Sequence, residues 1–317
     1  MHMEKASSPQ ESTEQRQLRY ENEIFDIAQD YDVELPERAI NLSIDLLEQM
    51  YQANGDESSE TYKPYHNDQH ALDVIRRSFR LWNLLHKELP DKIGTDEYEL
   101  LLIAAAGHDL VVGSGKEQGY DEYASGIIVA HSMQLAGYDK AQIVRVQSAI
   151  DATTVTRDSV GNITQDSMRS GDKDPIRLVL ATADINGATM EGIPTLVENA
   201  LGLYAEMTGE LPESVDETSH GITEFLLSQA QFINGRLEAI QGDLEYYFSP
   251  EDARRIQAAY EKEFTGASRD VISLSKTIAS FPEMAKMTVE KVTSALGASA
   301  LKPIEKGLKA AFTRKKK

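Results

Sequence analysis

The chain has no cysteine. Disulfides and thiolate ligands are therefore excluded, and a bound metal must be held by histidine, carboxylate or backbone oxygen. It also lacks an apolar run of about 18 residues, the length a membrane-spanning helix needs. The opening MHMEKASSPQESTEQRQ has no apolar core of the kind a secretion signal carries. The expectation is a cytoplasmic protein. Positive charge is scarce, with 32 Lys and Arg against 52 Asp and Glu, a net of −20. The scarcity is uneven. Thr265 to Lys317 hold 11 basic and 4 acidic residues, a net of +7, which leaves −27 on the rest. Such an acidic body repels a long polyanion, so no nucleic-acid polymer is expected as a partner. A small anion drawn in by a bound cation stays open.

What is present suits a folded soluble protein: 317 residues, 41% hydrophobic and 26% charged, enough for one large domain or two of ordinary size. Residues 1–16 are polar and expected to be disordered. Gln17 to Gln29 and Pro36 to Gln52 carry helical spacing. In the second, Pro36 suits a first turn, and Ile40, Ile44, Leu47 and Met50 make the apolar stripe. After a loop from Gly55 to Pro64, a long amphipathic helix opens at YHNDQHALDV, residues 65–74, and continues to Leu85 before Pro90. Asp96 to Asp109 and Ile176 to Ala183 are apolar nearly all round, the mark of buried helices. Gly113 and Gly115 are expected to end the first, and Asp174-Pro175 to start the second. Tyr120 to Leu135, Lys140 to Ala152, Glu198 to Met207, Thr218 to Ile240 and Pro250 to Phe264 read as further helices. Arg157 to Lys173 is a polar connection holding a small hairpin or a lid. With no strand-rich region and no repeat, the fold class is all-α.

Two features exceed what a plain bundle needs. His66 and His70, four residues apart, fall on one helical face about 5–6 Å apart. One imidazole can then hold a metal while the other moves a proton. The second feature is a carboxylate closing each apolar helix, as His108-Asp109 and as Asp184. A charge there is costly unless paired or ligated, and the partial negative charge of a helix C-terminus favours a cation. Each alone has a plainer reading: a surface or core histidine pair, or an accident at a helix end. Jointly, His70, His108, Asp109 and Asp184 make a donor set for a divalent ion such as Zn, Mn, Fe or Mg. Asp109 could bridge to a second, weaker ion. Two ions about 3.5–4 Å apart polarise a phosphoryl oxygen and lower the pKa of a shared water. His66, left free, could protonate the leaving oxygen, a step worth about 10²–10⁴-fold. The chemistry assembled is phosphoester hydrolysis.

The order His, His-Asp, Asp on successive helices resembles the HD-domain metal-dependent phosphohydrolase superfamily. Within it, YHNDQHALDV is similar to the motif YHN-x-x-HA-x-DV that opens the catalytic domain of class I 3′,5′-cyclic nucleotide phosphodiesterases. The resemblance implies an HD/PDEase-like helical catalytic domain over residues 17–265. It implies His66 as general acid, and His70, His108, Asp109 and Asp184 as ligands of one or two divalent ions, with Asp109 bridging. Tyr65 and Asn67 carry over from the same motif as substrate contacts. The segment SQAQFI, residues 228–233, is similar to the stretch where a glutamine grips a purine edge and a phenylalanine three residues on stacks on the base. That implies nucleobase recognition by Gln229 and Phe232, although Phe232 is equally read as core at helical spacing. The segment DEYAS, residues 121–125, resembles the Asn-Glu-x-x-Ser-Ala of HD proteins, which implies that Glu122 supports the water at the metal. In place of the phosphodiesterases' Asp-His-Pro-Gly after the His-Asp pair, Leu110-Val111-Val112-Gly113 follows. An HD phosphohydrolase acting on another small phosphoester fits as well as a cyclic nucleotide enzyme.

Of the remaining histidines, His86 reads as exposed and His131 as core or as a support to the site. Residues 266–317 form a basic tail, with Met287, Val292, Leu296, Leu301, Ile304, Leu308 and Phe312 near helical spacing among its lysines. It either packs on the acidic body or lies on an anionic membrane surface. Against the enzyme stands a rival of another class: a catalytically degenerate HD fold that binds a nucleotide or serves as a membrane-tethered interaction module.

Overall fold

The structure is a computed structural model that describes residues 11–56, 59–157, 163–169, 171–185, 187–208, 229, 232, 235–236 and 239–279. It is all-helical, as the periodicity implies. The helices are α1 (Thr13–Asp30), α2 (Glu37–Met50), α3 (Asp68–Glu88), α4 (Tyr98–Gly107), α5 (Tyr120–Leu135) and α6 (Lys140–Asp151). They continue as α7 (Pro175–Ile185), α8 (Gly187–Glu191), α9 (Ile193–Thr208) and, after a helical segment at 239–247, α10 (Pro250–Ala279). A π-helical turn, Tyr51–Gly55, extends α2. The polar connection after α6 holds a two-residue antiparallel ladder, Thr156 with Thr164 and Arg157 with Ile163, and a 3-10 turn at Asp166–Arg169. No helix among the described residues is long and apolar enough to cross a membrane.

Helix α3 is the central element, packed by α1, α2, α4, α7 and α10. Its apolar face buries Leu72, Ile75, Phe79 and Trp82, whose indole N–H donates to the Gly94 carbonyl at 2.8 Å. Helix α4 is buried continuously from Leu100 to Gly107, because its residues offer water nothing on any side. Gly107 is required where α5 crosses: a Cβ there would stand 2.3 Å from Val129 Cγ2. That close approach fixes the turn immediately before His108.

Several boundaries differ from the periodicity. Helix α1 starts at Thr13, inside the segment expected to be disordered. Ser12 Oγ accepts from Gln15 N at 3.2 Å and Gln15 Oε1 accepts from Ser12 N at 3.0 Å, a reciprocal capping box. Arg16, in that first turn, is buried and donates to Glu48 Oε1 and Oε2 at 2.7 and 2.8 Å. Pro36 is the N-cap of α2 rather than its first residue, and Ile44 is only half-buried. Helix α3 opens at Asp68, three residues later than Tyr65. Helix α4 stops at Gly107, and Gly113 and Gly115 take left-handed φ of +71° and +70° in the loop beyond. Helix α9 starts at Ile193, and the division placed at 265/266 falls inside α10. His86 is half-buried with Nδ1 2.6 Å from the Ile93 carbonyl, and His131 is exposed. Residues 218–228 and the basic segment 284–317 lie outside the described residues.

The Arg16–Glu48 pair ties the N-terminal helix to the core, with both side chains at most 8% exposed. Arg16→Met strands a buried carboxylate and should cost about 3–5 kcal/mol in urea unfolding, and Arg16→Met/Glu48→Met should recover most of it. A double variant as unstable as the single one would contradict this role.

Candidate metal centre

The N-terminal end of α3 meets the C-terminal ends of α4 and α7. Asn67 caps α3, its Oδ1 accepting from Gln69 N at 3.0 Å and His70 N at 3.1 Å, which sets His70 in the first turn. His108 is the C-cap of α4, and Asp184 sits in the last turn of α7. Asp109 follows His108, and its carbonyl accepts from Asn54 Nδ2 in the π-helical turn at 3.3 Å. His70, His108, Asp109 and Asp184 each offer one ligand atom, and these atoms all lie within 4.8 Å of one another. His70 Nε2 stands 3.1 Å from Asp184 Oδ1 and 3.5 Å from Asp109 Oδ2; His108 Nε2 stands 3.0 Å from Asp109 Oδ2 and 3.6 Å from Asp184 Oδ1. Two helix C-termini and two carboxylates converge on one point, which is a field made for a cation.

His108 tests the fit. Its Nδ1 is 2.9 Å from the Ala105 carbonyl, which can only accept, so Nδ1 carries a proton. In the neutral ring Nε2 is then a bare lone pair. It is fully buried and, despite its closeness to Asp109, makes no hydrogen bond of acceptable direction. A lone pair facing carboxylates needs either a second proton or a cation. Without a cation the proton wins: burial pushes the His108 pKa down, but Asp109 and Asp184 push it well above the ordinary value. Burial dominates at His70, whose pKa is lowered despite the bond to Asp184. For Asp184, burial raises the pKa but is outweighed by His108 and His70, which hold it far below the usual range; Asp109 is lowered chiefly by His108. One divalent ion would satisfy all four donors at once, and the histidine–carboxylate set is chemically suited to it.

His66 differs from expectation. It precedes the N-cap and is not on the helix face, so helical spacing does not place it. Glu206 of α9 does. Its Oε1 accepts from Tyr65 N at 2.7 Å and His66 N at 2.8 Å, and its Oε2 lies 2.7 Å from His66 Nδ1. Gly202, one turn earlier on α9, lets the chain come close: a Cβ there would stand 3.1 Å from the Pro64 carbonyl and 3.0 Å from Tyr65 Cβ. Burial lowers the His66 pKa, but the Glu206 bond and the nearby carboxylates raise it above its ordinary value. The rings of His66 and His70 are 6.0 Å apart, with Tyr65 packed against both.

The other expected residues fall at varied distances. Asn67 spends its side chain on the cap and on the Lys63 carbonyl, which Nδ2 reaches at 3.0 Å. Tyr65 is held neutral by burial and by Asp184. Glu122, in the first turn of α5, is half-buried, its pKa raised by burial and by Asp109, Asp121 and Asp184. Its helix also steadies the loop after Asp109, with Ser125 Oγ accepting from Val111 N and Asp121 Oδ2 from Gly113 N. Gln229 and Phe232 are helical and half-buried; among the described residues no hydrogen bond or ring contact links them to the centre. Glu206 and Gly202 were not singled out by sequence. A glycine inside a helix, costing about 1 kcal/mol, with a glutamate four residues on the same face, was the available signal.

Mn²⁺ should raise the melting temperature, by the equivalent of about 2.7 kcal/mol at a hundredfold excess over its Kd. Since the ion must displace the proton from His108, whose pKa is raised, affinity should increase from pH 6 to pH 8. His108→Ala and Asp184→Asn should abolish the shift; retention in both would mean that the ion binds elsewhere.

No family model, no curated protein and no solved structure matches this chain. What is shown is a helical protein with a histidine–aspartate cluster able to hold a metal ion.

Proposed function

We propose that this protein is a metal-dependent phosphohydrolase of the HD type, a phosphodiesterase acting on a small nucleotide phosphoester. The observation that carries the reading is the pairing of two unlike sites: a four-donor cation centre, and beside it a histidine kept protonated by a carboxylate. A divalent ion in the centre supplies positive charge that polarises a phosphoryl oxygen and makes water a better nucleophile. The chain supplies the rest. Histidine and carboxylate side chains in the centre are mostly buried, with Asp109 and Asp184 each 16% exposed, so the substrate's approach is on their side. His66 is 24% exposed at the rim, where an ester oxygen can reach it. Glu206 takes the Nδ1 proton as a bond, which leaves Nε2–H to face outward and donate to the leaving oxygen as the ester P–O bond breaks. The raised pKa keeps that proton in place near neutral pH. Nucleobase recognition by Gln229 and Phe232 rests on the motif resemblance.

Purified protein with Mn²⁺ or Mg²⁺ should cleave bis-p-nitrophenyl phosphate, and Asp109→Asn should reduce cleavage to background. Surviving activity would place the chemistry elsewhere. His66→Ala should slow an ester with an alkoxide leaving group by about 10²-fold or more, and p-nitrophenolate release much less, because that group needs little protonation. Equal losses would make His66 a ligand instead. Glu206→Gln should move the alkaline limb of the pH–rate profile for the alkoxide ester to lower pH, since the bond that holds the His66 proton is weakened; an unmoved limb counts against the assignment. Gln229→Ala should impair nucleotide turnover and spare the artificial diester.

A further inference from the structure

Helix α5 is apolar on the wrong side. Its inner face packs Ser125, Gly126, Val129 and Met133 into the protein, as expected. Its outer face leaves Tyr123, Ile127 and Leu135 at 58%, 46% and 76% exposure, with Tyr120 and Ile128 exposed beside them. From Tyr123 to Tyr138 the sequence has no charged residue at all, in a chain where 26% are charged. A surface helix usually carries its charges on that outer face. A contiguous apolar stripe left in water marks an interaction surface.

We infer that this face docks a second copy of the chain, α5 against α5 in an antiparallel two-fold pair. Three observations choose that occupant. The first is charge. Each copy carries −20, so two copies repel wherever carboxylates would be brought together, and the uncharged face is where they can touch. The second is self-complementarity, which a two-fold interface requires. The exposed apolar positions are arranged about a midpoint between Ile127 and Ile128. An antiparallel pair sets Ile127 on Ile128 of the second copy, Tyr120 on its Leu135, and Tyr123 near its His131. The third is the rim. Exposed Glu117 and the acidic first turn, Asp121 and Glu122, stand at one end of α5, and exposed Lys140 lies past the other. Antiparallel packing brings these opposite charges together and opposes the two helix dipoles. A lipid surface fits less well, because interfacial helices are flanked by lysine and arginine and these flanks are mainly acidic. The helix is about 24 Å long, at 1.5 Å per residue. That is the small end of specific interfaces, so the dimer forms in the micromolar range.

Sedimentation of the full chain across the micromolar range should show a monomer passing to a dimer. Ile127→Glu should weaken the association at least tenfold while leaving the circular dichroism spectrum and the Mn²⁺-dependent melting shift as they are. Because the chain has no cysteine, single substitutions give a second reading that needs no destabilising change. With a short bis-maleimide, Ile127→Cys should cross-link to a dimer, and Leu18→Cys, 56% exposed on α1, should not. A chain that stays monomeric, a dimer indifferent to Ile127→Glu, or equal cross-linking from both positions would overturn the inference. So would loss of anionic-vesicle binding in Ile127→Glu without any change in association, which would make the face a lipid contact.

Discussion

A carboxylate at the end of a buried apolar helix must find a countercharge, and most of this molecule's arrangement follows from meeting that demand twice. Helix α4 has no polar residue between Leu100 and Gly107, yet it delivers Asp109 to the interior; α7 is buried from Ile176 to Ala183 and delivers Asp184. Neither charge could stay there alone. The two meet because α3 crosses both helices and brings His70 from its own opposite end. Convergence at one point turns two separate electrostatic liabilities into a single cation site. Asn67, Asn54, Ser125 and Asp121 then hold the surrounding backbone, which is where the site's rigidity comes from.

The two histidines of the first motif show how environment divides labour between identical side chains. His70 is nearly enclosed, and burial lowers its pKa, which leaves a neutral ring suited to a cation. His66 is bound by Glu206 and keeps its proton. They are four residues apart in sequence, but Asn67 ends the loop and starts the helix between them, so their frames are set by different elements. Glu206 in turn must release its stabilising charge only to His66 and the two amides it accepts from, which holds its own pKa low against the effect of burial.

Much of this was legible in the sequence, for physical reasons. Apolar periodicity placed most helices, because burial of a continuous face is a local property. The four ligands could be picked out because a charged residue closing a wholly apolar helix is anomalous in any fold. What was not legible depended on distant partners. Glu206 lies 140 residues from His66, and nothing local distinguishes it from other surface glutamates. Arg16 looked like part of a polar tail, and only Glu48, 32 residues away, makes it a core residue. The Ser12–Gln15 capping box was readable and would have moved the start of α1 to Thr13. The placement of His66 on the helix face failed because the asparagine beside it is a strong N-cap, a local signal outweighed by attention to the four-residue spacing.

The central claim is that four side chains from three helices hold one cation. Crystals of the protein grown or soaked with Mn²⁺ and measured at the manganese absorption edge would address it directly. The account predicts an anomalous peak within about 2.0–2.3 Å of His70 Nε2, His108 Nε2 and one oxygen each of Asp109 and Asp184. A map with no peak among these atoms, at Mn²⁺ concentrations that support hydrolysis, would contradict it.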